Sequence, residues 1–200
     1  NSICGPVRAV IETGKHSHLN GFRQNGDKFN WDQQTFPKLL QASGYQTVLY
    51  GKYHMEGKPQ GYDDWVVLPG QGLYYNPDFL TAEGKVRKEG YCTDLVTDMA
   101  VEWLREKRDP EKPFMLRVQH KAPHRNWMPA LRHLDAYDDV LIPEPPTLFT
   151  NHEGQASPSR NQELEIDRHM DPNYDLFVDL TAEFALPASQ ETQDRSAWAN

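Results

Sequence analysis

The chain has 200 residues, 38% of them hydrophobic and 25% charged, with a formal net charge of −8 and aromatic residues spread throughout. That composition supplies one substantial core and argues against a disordered chain, while the acidic balance leaves no basic stripe to replace phosphate counterions and so argues against nucleic acid as the main partner. Cys4 and Cys92 are the only cysteines, which excludes a disulfide framework, and no apolar run approaches membrane-spanning length.

The first segment, Cys4-Gly5-Pro6-Val7-Arg8 followed by Ala9-Val10-Ile11-Glu12-Thr13-Gly14-Lys15, predicts a helix starting near Pro6 with Cys4 just before it. Such a helix start leaves backbone N–H groups and the positive end of the dipole beside Cys4, and Arg8 adds a planar cation one turn on. The arrangement is a built anion site, although a buried cysteine packed at a helix start would read the same way in isolation.

From Thr35 to Ser43 the apolar Phe36, Leu39 and Leu40 recur at helical spacing with Pro37 in the first turn, so a short helix is predicted, ended by Gly44. Gln46-Thr47-Val48-Leu49-Tyr50 is β-branched and aromatic, and predicts a strand ending at Gly51. The stretch from Met55 to Gly90 has no sustained period; it predicts a long excursion with one short strand near Trp65 to Leu68. Within it, residues 68–77 carry rings and amides that suit a sugar face, or equally an aromatic loop packed on its own domain. Leu95, Val96, Met99, Ala100, Trp103 and Leu104 share one face of a helix predicted from Thr93 to Lys107. Pro113 to Gln119 then predicts a buried strand.

Helix followed by strand, twice over, gives an α/β fold with a mostly parallel sheet flanked by helices. Ligands in such sheets sit beyond the carboxyl ends of the strands, and those ends carry Gly51-Lys52-Tyr53-His54 and His120-Lys121-Ala122-Pro123-His124. Lys52 and His54 are two apart, so in an extended segment their side chains point the same way. Past Leu131 the pattern weakens: a proline-rich connector from Pro143 to Pro146, an exposed loop from Asn151 to Asn161, and helices over 162–169 and 191–198 are predicted.

Three elements in this order resemble the formylglycine-dependent (type I) sulfatases of the alkaline-phosphatase-like superfamily: the Cys4-x-Pro6-x-Arg8 frame with Thr13-Gly14-Lys15 after it, the Gly51-Lys52-Tyr53-His54-Met55 unit, and Lys121-Ala122-Pro123-His124. Val7 stands where the family usually has serine or alanine, and Tyr53 and Met55 where tryptophan and leucine are commoner. The resemblance covers about residues 1–150, read as part of a sulfatase catalytic domain, with 151–200 a less ordered or helical continuation. The fold it implies is incomplete at both ends, so the chain is read as a fragment.

What the resemblance implies is a sulfuric ester hydrolase that releases sulfate from a sulfated carbohydrate, with hexosamine 6-O-sulfatases the nearest likeness. Cys4 would be oxidised to formylglycine by a formylglycine-generating or anaerobic maturation enzyme and become the nucleophile, held by Arg8. Lys52 would bind sulfate, His54 would take the proton in the elimination step, and His124 would protonate the leaving oxygen. Lys121 and His120 would contact the substrate. The family also holds a calcium ion; Cys4, as formylglycine, is the one ligand placed here, the remaining ligands lie outside this chain, and the fragment alone is expected to have little or no activity. A periplasmic or secreted location follows from the family. Alternatives are a phosphate or phosphonate monoester hydrolase of the same superfamily and a non-catalytic sulfated-glycan binder. A zinc hydrolase using His16, His18, His54 and His124 would have no helix-spaced His-x-x-x-His pair among those four.

Overall fold

The computed structural model describes residues 2–166, 168–171 and 174–175. They fall into two compact units, the first ending at Pro123 and the second beginning at His124.

The first unit is built on a five-stranded sheet whose spatial order is β4-β3-β2-β1-β5. Its strands are β1 (Gln46–Lys52), β2 (Asp64–Leu68), β3 (Asp78–Leu80), β4 (Lys85–Arg87) and β5 (Phe114–Gln119). β1 pairs in parallel with β2 and with β5, while β3 and β4 close one side as an antiparallel hairpin. The helices are α1 (Cys4–Thr13), α2 (Ser17–Asn20), α3 (Phe36–Ala42) and α4 (Cys92–Glu102).

The period-2 alternation of β1 decides which core each residue joins. Leu49 packs with Ala9 of α1, Phe22, Phe29, Trp31 and Val67 on one face. Val48 and Tyr50 point the other way and pack with Leu68, Phe79 and the inner stripe of α4, including Val96, Met99 and Ala100. Both faces of β1 are therefore covered, which is why it reads as an almost continuous apolar run. Gly51 sits at φ 102°, and a Cβ there would lie 2.0 Å from the Gln119 carbonyl oxygen, so only glycine lets the ends of β1 and β5 approach this closely.

Several expectations need correction. α1 begins at Cys4 itself, with Ile3 as N-cap, so Cys4 is inside the first turn rather than before it. β1 runs on through Gly51 and Lys52, which makes Lys52 the last strand residue. The excursion after Met55 contains the β3–β4 hairpin as well as β2. Its three-residue strands are too short to show a period; the sequence signal was Glu83-Gly84 beside the alternating Lys85-Val86-Arg87.

The α4 helix closes on a wider turn, Trp103–Lys107, in which the Arg108 N–H reaches back to the Trp103 carbonyl. The wide turn changes the phase of the last residues, leaving Trp103 buried but Leu104 exposed, off the predicted face.

In the second unit, the short α5 (Ser157–Arg160) forms within the stretch read as a loop. Residues 162–165 are irregular and 166, 168 and 169 lie in turns, with His169 N–H bonded to the Glu165 carbonyl, in place of the predicted helix. The helix predicted over 191–198 lies outside the described residues. Arg125 forms a bidentate pair with the buried Asp175 and lies over the Tyr174 ring, 4.9 Å from its centroid. Among the described residues no helix is long and apolar enough to cross a membrane.

Candidate active site

In-register pairing sets the site: Lys52 lies opposite Leu68 at the end of β2, and Gly51 opposite Gln119 at the end of β5. The carboxyl edge of the sheet thus brings together the segments leaving β1, β2 and β5, and the first turn of α1 is joined to the same edge by Arg8.

The Arg8 guanidinium donates from one nitrogen to the Lys52 carbonyl oxygen at 2.7 Å and to Gln119 Oε1. It therefore ties α1 to the ends of both central strands. Burial lowers its pKa, the Cys4 group opposes that shift, and Arg117 adds to it.

One turn further along α1, the buried Glu12 accepts from Tyr62 Oη at 2.9 Å and forms an ion pair with Arg117 of β5. Arg117 also donates to Tyr62 Oη at 2.6 Å and stacks over Phe36, 5.4 Å from the ring centroid. Burial pushes the Glu12 carboxyl above its usual range, with Arg117 and Tyr62 pulling against it.

At the start of α1 the Gly5 N–H is not open to a ligand, because the Asn25 side-chain oxygen accepts it at 2.9 Å. Pro6 has no N–H to offer, so the expected ring of helix-terminal amides is reduced. Positive charge here comes instead from side chains.

Lys52 is 2% exposed. Its ammonium donates to Gln71 Oε1 at 2.5 Å, and its pKa is lowered to about 8, by burial first, with Arg8 and Lys121 also disfavouring the charge and Cys4 opposing them. Lys121 is likewise buried, its Nζ 4.6 Å from the centroid of the Tyr74 ring, a cation–π contact that partly replaces lost hydration. Tyr74 is itself buried and stacks on Tyr91. Of the two readings of the aromatic loop, Tyr74 follows the second: its ring is an internal platform for Lys121. The charge of Lys121 is also felt at the buried Cys92, whose thiol burial pushes up to about 11.

His54 departs from the extended geometry assumed for it. Its φ is 55°, so the alternation that would aim it beside Lys52 is broken. Its carbonyl oxygen faces Gly5, where a Cβ would come within 2.9 Å of it. His120 is half-buried with its Nδ1 enclosed and without a hydrogen-bond partner among the described residues. His124 opens the second unit, where its Nδ1 lies 2.6 Å from the Arg125 carbonyl oxygen.

The structure therefore gathers Cys4, Arg8, Lys52 and Lys121 into one electrostatic neighbourhood and adds Gln71, Gln119 and Asn25, none of which the sequence singled out. A glutamine ending a strand and another in a Gly-x-Gly turn beside a lysine-bearing strand end were the available signals.

A family model described as Sulfatase matches residues 1–181. The chain belongs to the sulfatase family. An N-acetylglucosamine-6-O-sulfatase of Bacteroides thetaiotaomicron is 49% identical to this sulfatase over 189 residues, covering 93% of the chain and 34% of the relative. The human N-acetylglucosamine-6-sulfatase is 31% identical over 169 residues, covering 72% and 30% respectively. A solved structure of a protein in complex with its substrate, D-glucosamine-2-N,6-O-disulfate, superposes over 100% of this chain and 43% of that one, with 43% identity and a TM-score of 0.82. The chain spans about a third of the length of the curated relatives it matches.

The calcium ligands expected beyond Cys4 are not found among the described residues. Calcium takes six to eight hard oxygen ligands. The groups acting on Lys52 beside Cys4 are Arg8 and Lys121, and among the described residues no cluster of His, Cys, Asp or Glu could hold a metal ion.

Proposed function

We propose that this sulfatase is the sulfuric ester hydrolase of a 6-O-sulfated glucosamine-type carbohydrate, exported from the cytoplasm and matured by oxidation of Cys4 to formylglycine. The observation that carries the reading is the electrostatic neighbourhood of Lys52: a buried ammonium whose charged neighbours are Arg8 and Lys121, beside a half-exposed Cys4. Burying like charges together costs several kcal/mol unless an anion completes the group, and a sulfate oxyanion does so. The names of the relatives point to the same ester.

Oxidised residue 4 supplies, as its hydrate, the hydroxyl that attacks sulfur. Lys52 and Lys121 hold nonbridging oxygens and stabilise charge that builds in the transition state. Arg8, fixed by Lys52 and Gln119, sets the distance between the nucleophile and that cationic edge. His54 is proposed to take the proton that frees the product, His124, on its Ala-Pro-His motif, to protonate the leaving oxygen, and His120 to contact the substrate. No step is assigned to calcium.

The test is turnover by the full-length protein coexpressed with a maturation enzyme, offered N-acetylglucosamine 6-sulfate and an aryl phosphate in parallel. Release of sulfate at a kcat/KM at least about a hundredfold above the phosphate reaction is expected. Preference for phosphate overturns the sulfate assignment, and an unmodified Cys4 thiol with retained glycan binding identifies a binder instead.

A further inference from the structure

Lys52 has an unusual partner. Its ammonium is almost fully buried, yet its one hydrogen-bond acceptor among the described residues is the neutral side-chain oxygen of Gln71. An amide oxygen is a weak answer to a buried cation flanked by Arg8 and Lys121; an ionised oxygen makes a hydrogen bond roughly twice as strong.

Gln71 reaches Lys52 from an exposed position. It lies in the tight turn Pro69-Gly70-Gln71-Gly72, where the Gly72 N–H bonds the Pro69 carbonyl at 3.0 Å and both glycines have positive φ. The turn comes directly after Leu68, the residue paired with Lys52 across β1 and β2. The turn thus places the glutamine beside the cationic edge, and its exposed side chain can leave for solvent with little apolar surface uncovered.

We propose that Gln71 is an internal placeholder ligand of the oxyanion site: its side-chain oxygen occupies the Lys52 ammonium until an oxygen of a sulfate group displaces it. The inference rests on the reading of this edge as a sulfate site. Its consequence is competition. Every bound sulfate, substrate ester or free product, must break the Gln71–Lys52 hydrogen bond, and the returning amide assists release of the inorganic product.

The experiment is calorimetric titration of the full chain with inorganic sulfate, comparing the parent, Gln71→Ala and Gln71→Glu, with circular dichroism melts without sulfate to show that each variant folds. Gln71→Ala removes the competitor and is expected to bind sulfate about tenfold more tightly. Gln71→Glu places a carboxylate on the ammonium and is expected to bind at least about tenfold more weakly. An alanine variant that binds as the parent does, or more weakly, overturns the placeholder role and leaves the sulfate site standing, as does a glutamate variant of undiminished affinity. Absence of sulfate binding in all three proteins overturns the site and the proposed function together.

Discussion

Replacing Gly5 by alanine adds one methyl group where three segments meet. An ideal Cβ at this position falls 2.7 Å from Phe22 Cε1, 2.9 Å from Asn25 Oδ1 and 2.9 Å from the His54 carbonyl oxygen. Helix propensity alone predicts a gain, since alanine is better than glycine by up to about 1 kcal/mol in a helix interior. Overpacking opposes it at about 1–3 kcal/mol, and displacing Asn25 weakens a hydrogen bond to the Gly5 N–H worth about 1 kcal/mol. Overpacking wins, because two of the three clashing atoms are a backbone carbonyl and the edge of a ring that is itself buried. The expected net loss is about 2 kcal/mol, a fall of roughly 4–8 °C in Tm for a chain of this size. Gly14→Ala is the control: it also has a helix-end position but nothing within 4 Å, so it carries only the strain of φ 66°, about 1 kcal/mol. Thermal melts followed by circular dichroism, with sulfate binding as a second readout, separate the two, since only Gly5→Ala displaces the residue beside Cys4. A Gly5→Ala protein that melts at or above the parent temperature refutes the packing argument.

Arg117→Met leaves the Glu12 carboxylate buried without its cation, and is expected to cost about 3–5 kcal/mol near neutral pH in urea unfolding. Burial already raises the Glu12 pKa, and the variant raises it further. The folded state then keeps a proton that the unfolded chain has released, so stability falls as pH rises above the usual glutamate range and the deficit should narrow toward about pH 5; a deficit independent of pH contradicts this. For Lys52, a pKa near 8 means that the ammonium is charged below that pH and lost above it. Sulfate affinity should accordingly hold up to about pH 7.5 and fall about tenfold by roughly pH 9, well before an ordinary lysine would begin to titrate. Affinity unchanged to about pH 10 would show that Lys52 does not contribute its charge.

What the sequence disclosed was whatever repeats along it. Val48 to Tyr50 declares itself as a strand by its continuous apolar run and Phe114 to Val118 by its mostly apolar one, although β5, expected to be buried, has no fully buried residue; the carboxyl ends of both locate Lys52 and Lys121. The stripe of α4 declares itself for the same reason, up to the wide turn that displaces Leu104. His54 shows the limit of that reasoning: the two-residue rule holds only while the backbone stays extended, and a φ of 55° ends it. Asn25 on Gly5, Gln119 on Arg8 and Gln71 on Lys52 are single side chains set by long-range register, and no local period encodes which amide meets which group. The buried Glu12–Arg117 pair joins residues 105 positions apart and is invisible for the same reason.

The tethers on the first helix share one stripe. Gly5, Arg8 and Glu12 are fastened to Asn25, to Lys52 and Gln119, and to Arg117, while Ile3, Val7 and Ile11 look outward at 44%, 40% and 53% exposure. The rod can neither roll nor slide without breaking several anchors at once, and a substitution on its outer flank breaks none of them. The unusual valine at position 7 stands on that untethered flank, where its side chain displaces none of the anchors.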